Sequence, residues 1–225
     1  MPDTRPDDTV PAFFRPSGAE VDAPLALSVF YGISSPWAYF GAERAAAIAR
    51  RHDMPLVLRP IRVIEANGGI PLRTRAEPRQ HYHAVELDRW RRFLGIPLNL
   101  RPRFYPCRTI ETAAQAVIAV QRAGLDAVAF SFAVQRALWA EDRDIADLDT
   151  LRAIARDTVG EAAALLVPDP QEPEIVAEWQ NNLAAAERLG IFGTPTYVVR
   201  GELFWGQDRL DFVDRALAAA KEHQA

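Results

Sequence analysis

The stretch LALSVFYGISSPWAYFG (residues 25–41) contains a strand-like run, a tight turn and the opening of a helix. Leu25, Leu27, Val29 and Tyr31 form one alternating set, the period of a strand. From Pro36 to about His52 the period changes, with Trp37, Gly41, Ala45 and Ile48 at helical spacing. Ser35 and Pro36 join the two runs, serine being a favoured N-cap and proline a favoured first helical residue. LVLRPI (residues 56–61) reads as a second strand with Pro60 near its end. Such a strand-helix-strand unit predicts two parallel strands joined by a right-handed crossover.

Helix signals dominate the next hundred residues. Residues 78–95 carry Tyr82, Val85, Leu87, Trp90 and Leu94 among their apolar positions and stop at Gly95. Residues 109–124 form a second helix, with Thr109 as its expected cap and Gly124 as its stop. Residues 126–142 open on Asp126, and 147–160 and 173–190 each close on a glycine. The pattern then reverts to short runs. TYVV and ELFWG flank Arg200-Gly201, which predicts a β-hairpin. Residues 207–223 close the chain as an amphipathic helix with Leu210, Val213 and Leu217 on its core face.

Composition removes several function classes. The chain has 225 residues, a net charge of -4, 49% hydrophobic and 25% charged residues, which is an ordinary globular make-up. No basic stripe with interleaved aromatics is present, so a nucleic-acid partner is not expected. No run approaches the roughly 18 apolar residues of a membrane span. The first residues are polar, acidic and proline-rich, unlike a secretory signal, and the cytoplasm is the expected compartment. One cysteine, Cys107, precludes an intramolecular disulfide and a cysteine-rich zinc site. It reads either as a reactive thiol or as a small residue at a loop-helix junction. The four histidines are scattered, and His81 and His83 fall on different helix faces, so no metal site is expected.

The element order is strand-helix-strand, a run of helices, then helix-hairpin-helix. This is an α/β, thioredoxin-like fold with a large helical insertion between an N-terminal βαβ unit and a C-terminal ββα unit. The expected division is a flexible arm at 1–23, a thioredoxin-like domain at 24–62 and 172–225, and an inserted helical domain at 63–171. Thioredoxin-type redox proteins place Cys-Pro-x-Cys at the turn into the first helix; here those places read Ser35-Pro36-Trp37-Ala38. A dithiol oxidoreductase is therefore excluded. Ser35 has two readings. It caps the helix, or its hydroxyl donates a hydrogen bond to a sulfur held at the positive end of the helix. In this layout Pro195 of FGTPTYVV is expected to be cis and beside the first helix. Thr194 then offers its N–H and C=O to an extended peptide. Gln207 and Asp208, at the hairpin-to-helix junction, are either capping residues or a clamp for a peptide's polar end. Trp37 and Phe40 either line an aromatic pocket or pack in the core.

SSPWAYFG, YHAVELDRW, GIFGTPTYVV and GELFWGQDRLDFV occur in the order and spacing of the 2-hydroxychromene-2-carboxylate isomerases. The sequence resembles that family, a relative of the kappa-class glutathione transferases, from about Leu25 to its end. The resemblance implies an isomerase that uses glutathione as cofactor and acts on a small aromatic substrate. It puts the catalytic serine at Ser35. It puts glutathione contacts at Ser35, Asn67, Thr194, Pro195, Gln207 and Asp208. A lysine that the family often carries has its nearest counterpart at Arg79. A homodimer is among the assemblies it makes expected. The alternatives are a kappa-like glutathione transferase or peroxidase and a catalytically silent thioredoxin-like binding module.

Overall fold

Both faces of strand β1 (Leu27–Tyr31) are covered, and this organises the molecule. The computed structural model describes residues 25–167 and 171–222; the expected arm at 1–23 lies outside them. β1 pairs in parallel with β2 (Leu56–Pro60) and antiparallel with β3 (Thr196–Val199), which pairs antiparallel with β4 (Glu202–Trp205). The sheet order is β2-β1-β3-β4. Helix α1 (Pro36–Arg51) connects β1 to β2. The β3–β4 turn holds Arg200 and Gly201 at φ +47° and +80°, the paired left-handed geometry of a tight hairpin.

Between β2 and β3 the chain is helical: α2 (Glu77–Leu94), α3 (Glu111–Arg122), α4 (Ala127–Trp139), α5 (Leu148–Thr158), α6 (Glu161–Ala164) and α7 (Pro173–Arg188). Helix α8 (Leu210–Glu222) follows the hairpin. The thioredoxin-like arrangement read from the sequence is the one observed. Asp126 and Asp147 cap α4 and α5 by accepting from Ala129 and Thr150 N–H. Thr109 behaves differently from expectation. It accepts from Glu111 N–H at 3.2 Å, but α3 begins one residue later than a Thr109 cap requires, with Ile110 at the N-cap.

Two hydrophobic clusters sandwich the sheet. Leu27, Val29 and Tyr31 join Tyr39 and Ile48 of α1, Phe130 of α4 and Val213 of α8 in one of them. Phe30 and Val198 join Ile118 of α3 and Trp179 and Leu183 of α7 in the other. Helix α3 thus packs on the sheet. Its Gln121 also covers the outer edge of β2, accepting from Leu58 N–H at 2.8 Å and donating to Leu58 C=O at 3.0 Å. An edge strand's free ladder groups are thereby paired, as a neighbouring strand would pair them.

Gly41 sets how closely α1 approaches β3. A Cβ there would lie 2.2 Å from the hydroxyl of buried Tyr197 and 3.1 Å from Gln207 Cβ. Glycine within a helix costs about 1 kcal/mol relative to alanine. Here it lets the first turns of α1 seat against both the hairpin and the segment that follows it.

Candidate active site

A cleft of about 520 Å³ opens where the N-terminus of α1 meets the segment before β3. Gly32 marks the convergence: a Cβ on it would touch Ser35 Cβ and Thr194 Oγ1, each at 3.6 Å. The Thr194–Pro195 peptide bond is cis, and Thr194 lines the cleft alongside Ser35, Pro36 and Trp37. Among the described residues, Thr194 makes no backbone hydrogen bond. A cleft-lining residue whose N–H and C=O are both unbonded to the described protein meets a condition under which an extended backbone can add.

Ser35 has extended φ/ψ, and its Oγ accepts from Ala38 N–H at 3.3 Å. That bond uses an oxygen lone pair and leaves the hydroxyl proton to donate elsewhere. Pro36 has no N–H, and Trp37 N–H makes no hydrogen bond to the described protein. The helix therefore presents one free donor and its positive end beside a serine hydroxyl.

Gly206 begins the far wall at φ +107°, and its N–H donates to Pro195 C=O at 2.9 Å. Gln207–Arg209 form a single 3₁₀ turn leading into α8. Gln207 is 2% exposed, and its side chain is fixed from α1: Arg44 Nη1 donates to Oε1 at 2.6 Å and to the backbone C=O at 3.3 Å. Asp208 is exposed on the cleft and pairs with its neighbour Arg209 at 3.1 Å. Phe192 and Trp205 meet edge to face at 4.7 Å on the same wall. Gly193 permits that contact, since a Cβ on it would fall 2.3 Å from Trp205 Nε1.

Much of the remaining lining is aromatic. Trp37, Tyr82, Trp90 and Tyr105 line the cleft, with Arg75 among them. Of the apolar positions expected on α2, only Leu87 is fully buried, and Tyr82 is 58% exposed. Sequence reading placed Tyr82 and Trp90 on the helix but did not assign them to a site, and it missed Arg75, Tyr105, Phe192 and Trp205. Periodicity signals only that such residues are apolar; their exposure on a concave wall depends on which helix faces meet.

Two expected contacts sit elsewhere. Asn67 does not line the cleft. Its Nδ2 donates to the carbonyls of Ala186, Glu187 and Ile191 at 3.2, 3.0 and 3.1 Å, closing the C-terminal end of α7. Phe40 is 1% exposed and stacks on Tyr39 at 6.1 Å, so it is core, while Trp37 is the half-buried residue on the cleft. Arg79 is also outside the lining and exposed. Burial, and then the Asp144 charge, push the Cys107 thiol up to about 11, so at neutral pH it is a protonated, weakly nucleophilic group. His83 stands edge-on to Trp37 at 5.4 Å, and burial and the Arg75 charge push it down to about 4. It is a neutral imidazole at physiological pH. No helix among the described residues is long and apolar enough to cross a membrane.

Comparison with known proteins agrees with this fold. Residues 26–218 match the family model described as a DSBA-like thioredoxin domain, so the chain belongs to that family. A protein of Sphingobium xenophagum named 2-hydroxychromene-2-carboxylate isomerase is 29% identical over 197 residues, covering 85% of this chain and 97% of its own. A protein of the same name from Pseudomonas putida is 26% identical over 200 residues, covering 86% and 94%. A solved 2-hydroxychromene-2-carboxylate isomerase superposes with a TM-score of 0.67 at 21% identity, covering 88% of this chain and 97% of that one.

Proposed function

We propose that this member of the DSBA-like thioredoxin family is a glutathione-dependent isomerase that converts 2-hydroxychromene-2-carboxylate into a benzylidenepyruvate-type aromatic acid. The relatives named for that reaction support the substrate. The observation that carries the glutathione part is the open backbone pair of Thr194 beside a Ser35 hydroxyl whose proton is uncommitted. A bound glutathione supplies a thiolate able to add reversibly to a conjugated double bond, which frees that bond to rotate with no net redox change.

Everything else falls to the chain's own groups. Thr194 N–H and C=O hold a peptide backbone as a strand would. Asp208 offers a carboxylate to an ammonium group, at the start of the turn that Gly206 and Arg44 fix in place. Ser35 O–H and Trp37 N–H, at the positive end of α1, stabilise negative charge on a sulfur. With Ser35 and Ala38 at the redox positions, the chain has no thiol there to form a disulfide. Trp37, Tyr82, Trp90 and Tyr105 supply an apolar wall for an aromatic ring.

The test is spectrophotometric isomerisation of 2-hydroxychromene-2-carboxylate with and without glutathione, together with calorimetry. Turnover should require glutathione. Asp208→Ala should weaken glutathione binding by about 1.5–3 kcal/mol, the range for a charged hydrogen bond. Equal turnover without any thiol, or no binding at millimolar glutathione, refutes the reading.

A further inference from the structure

Three arginines line the cleft, and they are not equivalent. Arg62 faces Glu111 at 3.9 Å, and Arg209 pairs with Asp208 at 3.1 Å. Arg75 has no carboxylate partner among the described residues. Its Nε and Nη2 both donate to the single carbonyl of Ile70, at 3.0 and 2.9 Å. A guanidinium has five N–H donors, so Nη1 and the second Nη2 hydrogen remain unbonded.

Its surroundings do not reward the charge. Partial burial and the neighbouring Arg79 both disfavour the protonated form. Among the described residues, the Tyr105 hydroxyl is the acidic group that bears on it, and burial pushes that hydroxyl up and so keeps it neutral; the cleft's carboxylates, Glu86 and Asp208, are paired with Arg89 and Arg209. His83 is also neutral, so it neither competes for nor cancels an anion. A partly desolvated cation without a counter-ion is a destabilised group, and a ligand carboxylate offsets that loss on binding. The guanidinium fork also matches a carboxylate geometrically, in a way an ammonium does not.

The Ile70 carbonyl fixes the direction of the fork. It sits in the loop before α2, whose 3₁₀ turn (Leu72–Thr74) ends at Arg75, and Gln80 Nε2 donates back to the Arg75 carbonyl at 2.7 Å. The side chain is thus anchored at both its backbone and its Nε edge. The same cleft is lined by Tyr82, Trp90 and Tyr105, and by Glu86, whose carboxylate is taken by Arg89.

We propose that Arg75 is the specificity-determining residue of this cleft: it selects aromatic acids, taking the substrate's carboxylate on its free Nη edge while the ring lies on the Tyr82–Trp90–Tyr105 wall. This rests on the isomerase reading above and adds to it the residue that recognises the acid.

The test separates the two. Calorimetry in the absence of thiol compares trans-benzylidenepyruvate with benzylideneacetone, which has the same conjugated skeleton and no carboxylate. The wild type should bind the acid at least 10-fold more tightly. Arg75→Gln should bring the two ligands to within about 3-fold of each other. Losing a charged hydrogen bond of about 1.5–3 kcal/mol corresponds to roughly 10- to 150-fold on the acid alone. Arg75→Lys should keep part of the preference, and Arg62→Gln all of it. Glutathione affinity, measured in the same variants, should not change, which also shows that Arg75→Gln is folded. No preference in the wild type, or a preference that survives in Arg75→Gln, overturns the proposal even if the protein isomerises. An Arg75-dependent preference in a protein that does not isomerise keeps the proposal and discards the isomerase reading.

Discussion

Replacing Ser35 by alanine removes an observed helix cap and, on the proposed reading, a donor to the glutathione thiol, and the two losses differ in magnitude. As a cap, Ser35 Oγ accepts from Ala38 N–H at 3.3 Å, a long bond for this pair of atoms. Its loss belongs at the low end of N-cap effects, about 0.5–1 kcal/mol of stability. As a donor, the hydroxyl proton is uncommitted, and a hydrogen bond from it to a thiolate is worth about 1.5–3 kcal/mol. Divided by 1.36 kcal/mol per pKa unit, that is roughly one to two units. Without it, the α1 N-terminus and Trp37 N–H still favour the anion, so the thiol's pKa should rise without reaching that of a desolvated thiol. The assay is the pH–rate profile of wild type and Ser35→Ala with glutathione saturating, run beside ultraviolet titration of the bound thiol. The acid limb of the variant should move up by about one to two units. The rate at pH ~7 should fall roughly 10- to 100-fold and return in part at higher pH, where the thiol ionises unaided. Denaturant midpoints should show only the small capping loss. Superimposable profiles would falsify the donor role and leave Ser35 as a cap. A lower rate with an unmoved acid limb is equally damaging, because the hydroxyl would then act by some means other than ionising the thiol.

Asn67→Ala should behave as a stability variant: its amide serves three carbonyls at the end of α7, and losing those bonds should cost about 1–2 kcal/mol in urea unfolding with glutathione affinity unchanged. A drop in affinity with intact stability would return Asn67 to the cleft. At the far end of α1, Arg51 and His52 hydrogen-bond Asp214 of α8 and hold its carboxyl below the usual range. A depressed carboxyl stabilises the folded state above its unfolded pKa of about 3.9, and that contribution is lost as pH falls through the lower folded value. Because Asp214 is 36% exposed, solvent screening limits the effect to a few tenths of a kcal/mol. Asp214→Asn should therefore be slightly less stable than wild type at neutral pH and indistinguishable from it in strong acid; a gap that widens with acidification contradicts this.

Local information carried much of this protein. The alternation of Leu27, Val29 and Tyr31, the Ser35-Pro36 junction and the Arg200-Gly201 turn each depend on residues a few positions apart. Backbone sterics and capping act over that range, so the β-α-β unit and the hairpin were legible without coordinates, and the cis bond before Pro195 was expected from the thioredoxin-like layout that these elements make up. The segments around Ser35, Thr194 and Asp208 were legible for the same reason: each sits at an element boundary that marks itself in sequence. Only the tertiary structure decided the rest. Phe40 lies one helical turn from Pro36, yet it turns into the core while Trp37 turns to the cleft. Asn67 is spent on carbonyls at and just beyond the end of α7, 119 to 124 positions away, and Gln121 on a strand edge 63 positions away. On the proposed reading, Arg75 gains its meaning from Tyr82, Trp90 and Tyr105 and from having no carboxylate partner among the described residues. These pairings arise when amphipathic faces choose partners, and that choice is made by burial and shape across the whole chain, which no local pattern of residues encodes.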